Sequence, residues 1–488
     1  MALYYTSDFT TIKNNFEKIQ RDISLKRQEL ALEPTLAEKK QIQTIILNFA
    51  KTNNRKIYGG YALDMVIKHK NESDAIYTKE QVSDIDIYSP EPIVDMMKLC
   101  NIIYNSGFKC VIGKEAMHPE TYCIFVNNIL HCDITYVPKN IYNKMGTFEL
   151  CGLTLIHTVY MHIDYLKILT DPLVSYWRLG DDLKGLKRFM LLEKYYPLPN
   201  SKHPIVVQPI SESRTCGLAV ISLFIFDKTS LVVLGTYAYN CFLRESRCFT
   251  KFNYLAIPYY EFISTNYKAD FHKLMSMLKP LGHIHFIEYQ PFFQYFGNRV
   301  EIFLNGELIV KIYCNNNKAI PYIDYKMYSY NDTFIRIGSF QMNILHCLIN
   351  TVYGRVNSYK SLIDDSYAMT HNLLDMRNFF FETTKLSVMD DSVFKDFIID
   401  CVGSTLTPEM HRKNLINSRK KYNHKLTMVY EPTEQSANVE PVSNYKFANN
   451  SGNELFDKTH SKLIDVVIDT EPTETKTVTN TKNDKDTQ

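Results

Sequence analysis

Val82-Ser-Asp-Ile-Asp-Ile-Tyr88 is the stretch on which the reading of this chain turns. In a strand successive side chains point to opposite faces, so Asp84 and Asp86 share one face while Ile85 and Ile87 enter the core. A third carboxylate, Asp133, lies in Ile129-Leu-His-Cys-Asp-Ile-Thr-Tyr136, flanked by Ile134 and Tyr136 as a neighbouring strand requires. Upstream, Lys56-Ile-Tyr-Gly-Gly-Tyr-Ala-Leu-Asp64 takes an apolar strand end through Gly59 and Gly60 into a helical pattern. Such a turn lets backbone approach phosphate. Three like charges on adjacent strands repel, and burying them unpartnered costs several kcal/mol, which argues against a purely structural purpose. Hard divalent cations remove the objection. Mg²⁺ or Mn²⁺ takes oxygen ligands and shares them with substrate phosphates, and two such ions about 4 Å apart would activate an attacking hydroxyl and stabilise a leaving pyrophosphate. The implied chemistry is nucleotidyl transfer. Taken singly, each aspartate would read as an ordinary surface residue; their order after the Gly-Gly turn favours the cluster.

The rest of the composition sets bounds. With 488 residues and 45% hydrophobic content the chain has room for two or three globular domains. The longest apolar run, Gly217 to Phe226, has half the length a membrane span needs, and the N-terminus carries no basic-then-apolar signal. A soluble intracellular protein without a membrane partner is expected. The 11 cysteines include no C-x-x-C pair, so reduced, packed thiols are expected rather than zinc; Cys123, His131 and Cys132 are assigned to packing. The 34 Tyr and 28 Phe suit strand-rich cores and leave rings for stacking on bases. The net charge of +2 hides an asymmetry. Residues 431–488 hold 11 acidic against 6 basic side chains, so the body carries about +7, a modest excess that suits a polyanionic substrate.

Residues 8–53 show helical spacing (Phe16, Ile19, Ile23, then Ile42, Ile45, Ile46) broken near Pro34, which predicts two packed helices, an N-terminal helical segment over residues 1–54. Residues 56–138 alternate strands and helices, Asp171 to Tyr196 reads as a helical segment after the break at Pro172, and Pro197-Leu-Pro-Asn200 punctuates a domain junction. Beyond residue 431 apolar residues are sparse, so an acidic disordered tail is expected, with a short docking element at Leu463–Ile468. An internal repeat links the two halves. Tyr58-Gly-Gly-Tyr-Ala-Leu-Asp64 is echoed by Leu234-Gly-Thr-Tyr-Ala-Tyr-Asn240, Asp95–Leu99 by Asp270–Leu274, and Ile124–Ile134 by Ile302–Ile312, at offsets between 175 and 178. Three matches in register predict one α/β unit used twice. In that register Tyr259 stands for Asp84, Glu261 for Asp86 and Lys311 for Asp133. A lysine there would repel cations, so the second unit is expected to be inactive.

The Y-G-G-Y-A-L-D turn, the S-D-I-D-I-Y and H-C-D-I-T-Y-V strands, V-P-K-N-I-Y-N and the helix end L-L-E-K-Y-Y-P together resemble the poly(A) polymerase catalytic subunits of large cytoplasmic DNA viruses, the giant-virus and asfarvirus branch more than the poxvirus one. The resemblance is densest over residues 56–200 and extends to about 425. It implies an α+β architecture: a polymerase-β-like nucleotidyltransferase domain (55–200), a second degenerate nucleotidyltransferase-like domain with C-terminal helices (201–430), the helical N-terminal segment and the disordered tail (431–488). It implies template-independent addition of AMP from ATP to mRNA 3′ ends, with Asp84, Asp86 and Asp133 as catalytic residues and ligands of two Mg²⁺ or Mn²⁺ ions, and Gly59 and Gly60 on the phosphate side. A positive charge should meet the triphosphate; Lys184, Lys187 and Arg188 share a helix face at i, i+3, i+4 and are the candidates, a solvated basic face being the alternative. Family members act as homodimers or with a separate processivity subunit, in the viral factories of the host cytoplasm or in the virion. The gap from Gly60 to Asp84 is longer than in most of the superfamily, with an extra loop around Asn71–Thr78.

His411-Arg-Lys413, Arg419-Lys-Lys421, His424 and Lys425 form the strongest basic cluster, suited to holding any RNA backbone, or else a solvated helix end. Two other readings stay open: a nucleotidyltransferase of another base or acceptor, and a non-catalytic RNA-binding subunit. The intact acidic set weighs against the second.

Overall fold

A computed structural model describes residues 3–443, apart from 31–33, 119, 179, 181–182, 199–200, 202–203, 206–210, 227, 293–296, 316–317, 327–332 and 422–426. The docking element expected at Leu463–Ile468 lies outside the described residues.

Two eight-stranded mixed sheets organise the chain. In the first, the spatial order is Val429–Tyr430, Val111–Glu115, Thr121–Val126, Ile129–Tyr136, Ile85–Ser89, Lys56–Tyr58, Leu153–Ile156, Thr147–Leu150. The second runs Ile284–Tyr289, Arg299–Leu304, Glu307–Cys314, Tyr260–Ser264, Leu231–Leu234, Phe334–Gly338, Ile320–Lys326, Cys401–Val402. Setting aside the one added edge strand in each, the two orders match strand for strand. The senses match too: the acidic strands Ile85–Ser89 and Ile129–Tyr136 pair in parallel, as do Tyr260–Ser264 and Glu307–Cys314. Even a register shift recurs, at Ile124/Phe125 and at Ile302/Phe303. The repeat in the sequence is thus a repeat of fold.

Each unit also repeats its helices. Leu36–Thr52, Gly59–Lys70, Pro92–Asn105 and Thr158–Thr170 correspond to Glu212–Ile225, Gly235–Ser246, Tyr267–Leu278 and Phe340–Val356. The repeated unit therefore starts at Leu36, one helix before the boundary expected at residue 55. Small polar braces recur as well: Ser89 Oγ donates to Asp95, which pairs with Arg55 at 2.6 Å, and Ser264 Oγ donates to Asp270 at 2.7 Å with Lys228 3.9 Å away. The equivalent helices Thr158–Thr170 and Phe340–Val356 pack on one another and join the units.

Three sequence expectations need correction. The two N-terminal helices form as Thr6–Leu30 and Leu36–Thr52, the second with a Thr35/Glu38 capping box and with Ile42, Ile46 and Phe49 buried, but the first leaves Phe9, Phe16, Ile19 and Ile23 exposed. Its apolar residues recur at 3.5-residue spacing, which makes a narrow seam rather than the wide face a helix needs to lie on a domain. The helical stretch 171–196 is interrupted: Pro172–Ser175, Tyr176–Arg178 and Lys184–Tyr195 are separate, and Leu183 has φ +56°. The chain also does not leave the body at 431. Val429–Tyr430 adds to the first sheet, Ala437 is buried, the Tyr430 hydroxyl donates to Asn101 at 2.6 Å, and Asn101 and Asn105 donate to the carbonyls of Ser436 and Ala437. These contacts hold residues 431–443 against Pro92–Asn105 despite their sparse apolar content.

Candidate active site

Ile85 and Ile87 are fully buried and alternate with Asp86, and in the next strand Cys132 and Ile134 are fully buried on either side of Asp133. Parallel pairing sets Asp86 directly beside Asp133, and Asp84 stands just before the first of these strands. One oxygen from each of Asp84, Asp86 and Asp133 lies within 4.8 Å of the others. Strand register thus brings Asp86 and Asp133 together, and Asp84, one residue before the strand, completes the sequence-predicted set.

The charges are held in an unfavourable place. Burial pushes the Asp86 carboxyl well above the usual carboxylate range, with Asp84, Asp133 and Asp164 adding repulsion, against one hydrogen bond from the Gly60 backbone N–H. Burial raises Asp133 too; the Cys123 thiol donates to it, while its buried Oδ1 accepts no hydrogen bond from the described residues. An orphaned buried carboxylate oxygen and a compressed all-oxygen donor set fit a hard divalent cation.

Gly59 has φ +72°, and a Cβ there would stand 1.9 Å from Asp86 Oδ2. The glycine is thus required by the close approach of the turn to the acidic strand. The helix Gly59–Lys70 begins at this turn, so its first N–H groups, of which that of Gly60 is given to Asp86, open beside the carboxylates.

Of the expected basic residues, Arg188 reaches this turn. A Cβ on Gly60 would lie 3.0 Å from an Arg188 guanidinium nitrogen and 2.5 Å from the Tyr77 hydroxyl, and Arg188 Nη2 donates to that hydroxyl at 2.9 Å. Its Nε is buried without a hydrogen-bond partner among the described residues. Lys184 and Lys187 are exposed on the same helix. The extra loop explains the aim of Arg188. Asp64 accepts from the backbone of Ile76 at 2.7 Å and Tyr77 at 3.2 Å, and pairs with Lys68 at 2.5 Å. Asn71 Nδ2 donates to the Tyr195 hydroxyl at 3.0 Å, and Asp74 accepts from Lys194 at 2.5 Å. The loop therefore ties the glycine turn to the helix Lys184–Tyr195.

Sequence reasoning missed Tyr77, Asp164 and the thiol of Cys123. Asp164, on the helix Thr158–Thr170, acts on Asp86 and is paired with Lys167 at 2.8 Å. No local pattern marks it. Cys123 reads in the sequence as a packing residue; its antiparallel register with Asp133 is the signal that finds it. The basic C-terminal cluster is split: Arg419 is a bidentate partner of Glu115 at 2.7 and 2.8 Å and Arg412 reaches the Ala116 carbonyl, whereas Lys413, Lys420 and Lys421 are exposed. His424 and Lys425 lie outside the described residues.

No helix among the described residues is long and apolar enough to cross a membrane. Residues 44–175 match the family of poly(A) polymerase catalytic subunits, and residues 191–463 match that of the C-terminal part of the APMV poly(A) polymerase catalytic subunit. A chain of Acanthamoeba polyphaga mimivirus named as a poly(A) polymerase catalytic subunit is 32% identical, over 93% of this chain and 83% of its own length. One of African swine fever virus with the same name is 28% identical over 45% of this chain and 43% of its own. The crystal structure of the Megavirus polyadenylate synthase superposes with a TM-score of 0.82 at 31% identity, covering 90% of this chain and 89% of that one. Matched in both halves and along nearly its whole length, the chain belongs to the poly(A) polymerase catalytic subunit family.

Proposed function

We propose that this chain adds AMP from ATP to the 3′ ends of mRNA without a template, releasing pyrophosphate. The observation that carries the reading is the convergence of Asp84, Asp86 and Asp133 within 4.8 Å beside the glycine turn, in a chain of this family. These three carboxylates would hold two Mg²⁺ or Mn²⁺ ions. Bound there, the ions supply activation of the RNA 3′-hydroxyl and neutralisation of the leaving pyrophosphate.

The chain's own groups do the rest. Gly59 and Gly60 let the turn lie against Asp86, Tyr77 and Arg188, where a Cβ would collide, and the start of the helix Gly59–Lys70 offers N–H groups to the triphosphate oxygens. Arg188, steadied by Tyr77, lies where a guanidinium can take a phosphate oxygen in a charge-assisted bond. Lys184 and Lys187 draw the polyanions toward the same face. The second unit, with Lys311 in place of the third aspartate, is a scaffold or RNA-facing domain. The enzyme is read as a homodimer rather than one relying on a separate processivity subunit, and as acting in the host cytoplasm, since the matching relatives are viral chains.

Incubation with a 3′-hydroxyl RNA and each NTP in turn, with Mg²⁺ or Mn²⁺, tests the reading. Extension with ATP alone supports it. Preferential use of UTP or CTP, or no extension by the intact protein, would overturn it.

A further inference from the structure

The helix Thr6–Leu30 is largely in water: from Thr6 to Arg27 every residue except Asp8 and Leu25 is exposed. Yet it carries Phe9, Ile12, Phe16, Ile19 and Ile23 in one line, each between 37% and 65% exposed. Their spacing alternates three and four residues, the a and d positions of a heptad, with Tyr5 one step further out. The other side, at Glu17, Gln20, Arg21, Ser24 and Leu25, borders a cleft shared with Leu36, Lys39 and the loop carrying Thr78 and Val82; none of the five apolar side chains lines it, so the apolar line turns away from the body. A helix of this length with such a seam is marginal alone in water and gains its stability by packing the seam.

The flanking charges say what covers it. With Phe9 at a, the g positions are Asp8, Asn15 and Asp22, and the e positions are Lys13, Gln20 and Arg27. In a parallel pair of identical helices each g side chain meets the e′ side chain five residues on. That sets Asp8 against Lys13′, Asn15 against Gln20′ and Asp22 against Arg27′: opposite charges twice and a polar pair between. An antiparallel pair would put g against g′ and e against e′, acid on acid and base on base.

We infer that the helix Thr6–Leu30 is the seam of a parallel two-stranded coiled coil between two copies of this chain. The inference rests on the homodimer reading above and adds its surface and direction. The two catalytic bodies would then hang from the same end of one coil, both free to engage RNA.

Sedimentation of the full-length protein, across micromolar concentrations, tests it with three variants. The intact chain is expected at the mass of two chains and Phe16→Glu at that of one. Asp22→Arg should weaken the dimer tenfold or more, and adding Arg27→Asp to it should restore the dimer, because the swapped pair is again complementary only in the parallel register. Single-adenylate addition should be unchanged in all three, since Phe16, Asp22 and Arg27 are exposed and none of them lines the cleft that the helix shares with Val82. Helix content should fall in the monomeric variants and return with the charge swap, because the unpaired seam no longer supports the helix. If Phe16→Glu stays dimeric, the seam is wrong and the homodimer reading stands on another surface. If the intact chain is a monomer, both fall. Monomers that bind anionic vesicles through this helix, or a charge swap that fails to restore, would equally overturn the coil.

Discussion

Lys311 stands beside Glu261 across two parallel strands in the register that sets Asp133 beside Asp86. Its ammonium is 3.9 Å from Glu261 Oε1 and 3.2 Å from the Tyr259 hydroxyl, and His346 Nε2 approaches the same carboxylate oxygen at 3.2 Å. Burial would raise Glu261, but His346 and Lys311 outweigh it and hold the carboxyl at about 2. The degenerate unit has thus replaced an open cluster of carboxylates by one carrying its own cation.

Removing that cation should unbalance the second unit without touching catalysis. Lys311→Met leaves the buried Glu261 with only His346 and the Tyr313 hydroxyl as partners, at a cost of up to roughly 3–5 kcal/mol. Adding Glu261→Gln should recover part of the loss. In the intact protein the depressed Glu261 contributes stability above its unfolded value near 4.5, lost as pH falls toward about 2. In Lys311→Met the carboxyl takes up a proton more readily, so its deficit should shrink from pH 8 to pH 5. Urea unfolding at both values reads this. A folded Lys311→Met protein as inactive as Asp84→Asn would sink the idea of an inactive copy.

In the first unit the same logic runs in reverse. Asp84→Asn, Asp86→Asn or Asp133→Asn should each abolish extension. Without divalent ions, Asp86→Asn should also melt a few degrees higher than the intact chain, because it removes a carboxylate raised by burial and by its acidic neighbours. A carboxyl raised in the folded state costs stability as pH climbs past its unfolded value, so this advantage should widen from pH 4 upward. Mg²⁺ or Mn²⁺ should raise the melting point of the intact chain and not that of the variant. An active variant, or one with an unchanged metal response, argues against the assignment.

The two glycine turns separate fold from chemistry. Gly59→Ala and Gly235→Ala both place a Cβ at positive φ, 1.9 Å from Asp86 Oδ2 and 2.2 Å from Glu261 Oε2 respectively. Each should cost about 1–2 kcal/mol for the backbone alone, and more for the collision. Only Gly59→Ala should abolish activity in the folded fraction. Arg188→Ala should raise KM for ATP about tenfold or more, as one charge-assisted bond of roughly 1.5–3 kcal/mol is lost. Steady-state kinetics decide, and an unchanged KM would return Arg188 to a structural role.

What could be seen in advance follows from where each signal lives. Ile85-Asp-Ile87 and Cys132-Asp-Ile134 announce their strands because burial imposes a period of two on adjacent residues, and the repeat shows because both units keep that apolar frame. Asp164, Tyr77 and the aim of Arg188 are set by contacts between elements distant in sequence, and on their own helices or loop they resemble any solvated charge or ring. The helix Thr6–Leu30 is legible as a helix, but whether its apolar line finds a partner within the same chain is a tertiary fact. The stretch Arg419-Lys-Lys421 reads as one charge run; only Glu115, on a strand some three hundred residues earlier, divides it.

That division changes what the C-terminal helix should do. Lys413, Lys420 and Lys421 are exposed, so replacing them by Ala should weaken RNA binding across all sequences and lower its salt dependence, by about 0.7 in slope for each single-strand phosphate no longer neutralised. Arg419→Ala should behave differently. Its guanidinium is committed to Glu115 with little exposure on either side, and its loss should cost roughly 2 kcal/mol of stability with a smaller change in slope. Ending the chain at 430 removes the Lys98–Glu440 pair and the buried Ala437, so it should melt lower than a chain ended at 443. RNA affinity at several salt concentrations, with melting points for the same proteins, separates the two roles. An unchanged slope in the triple-lysine variant would leave this helix as a strap that holds the two units together, with the RNA path elsewhere.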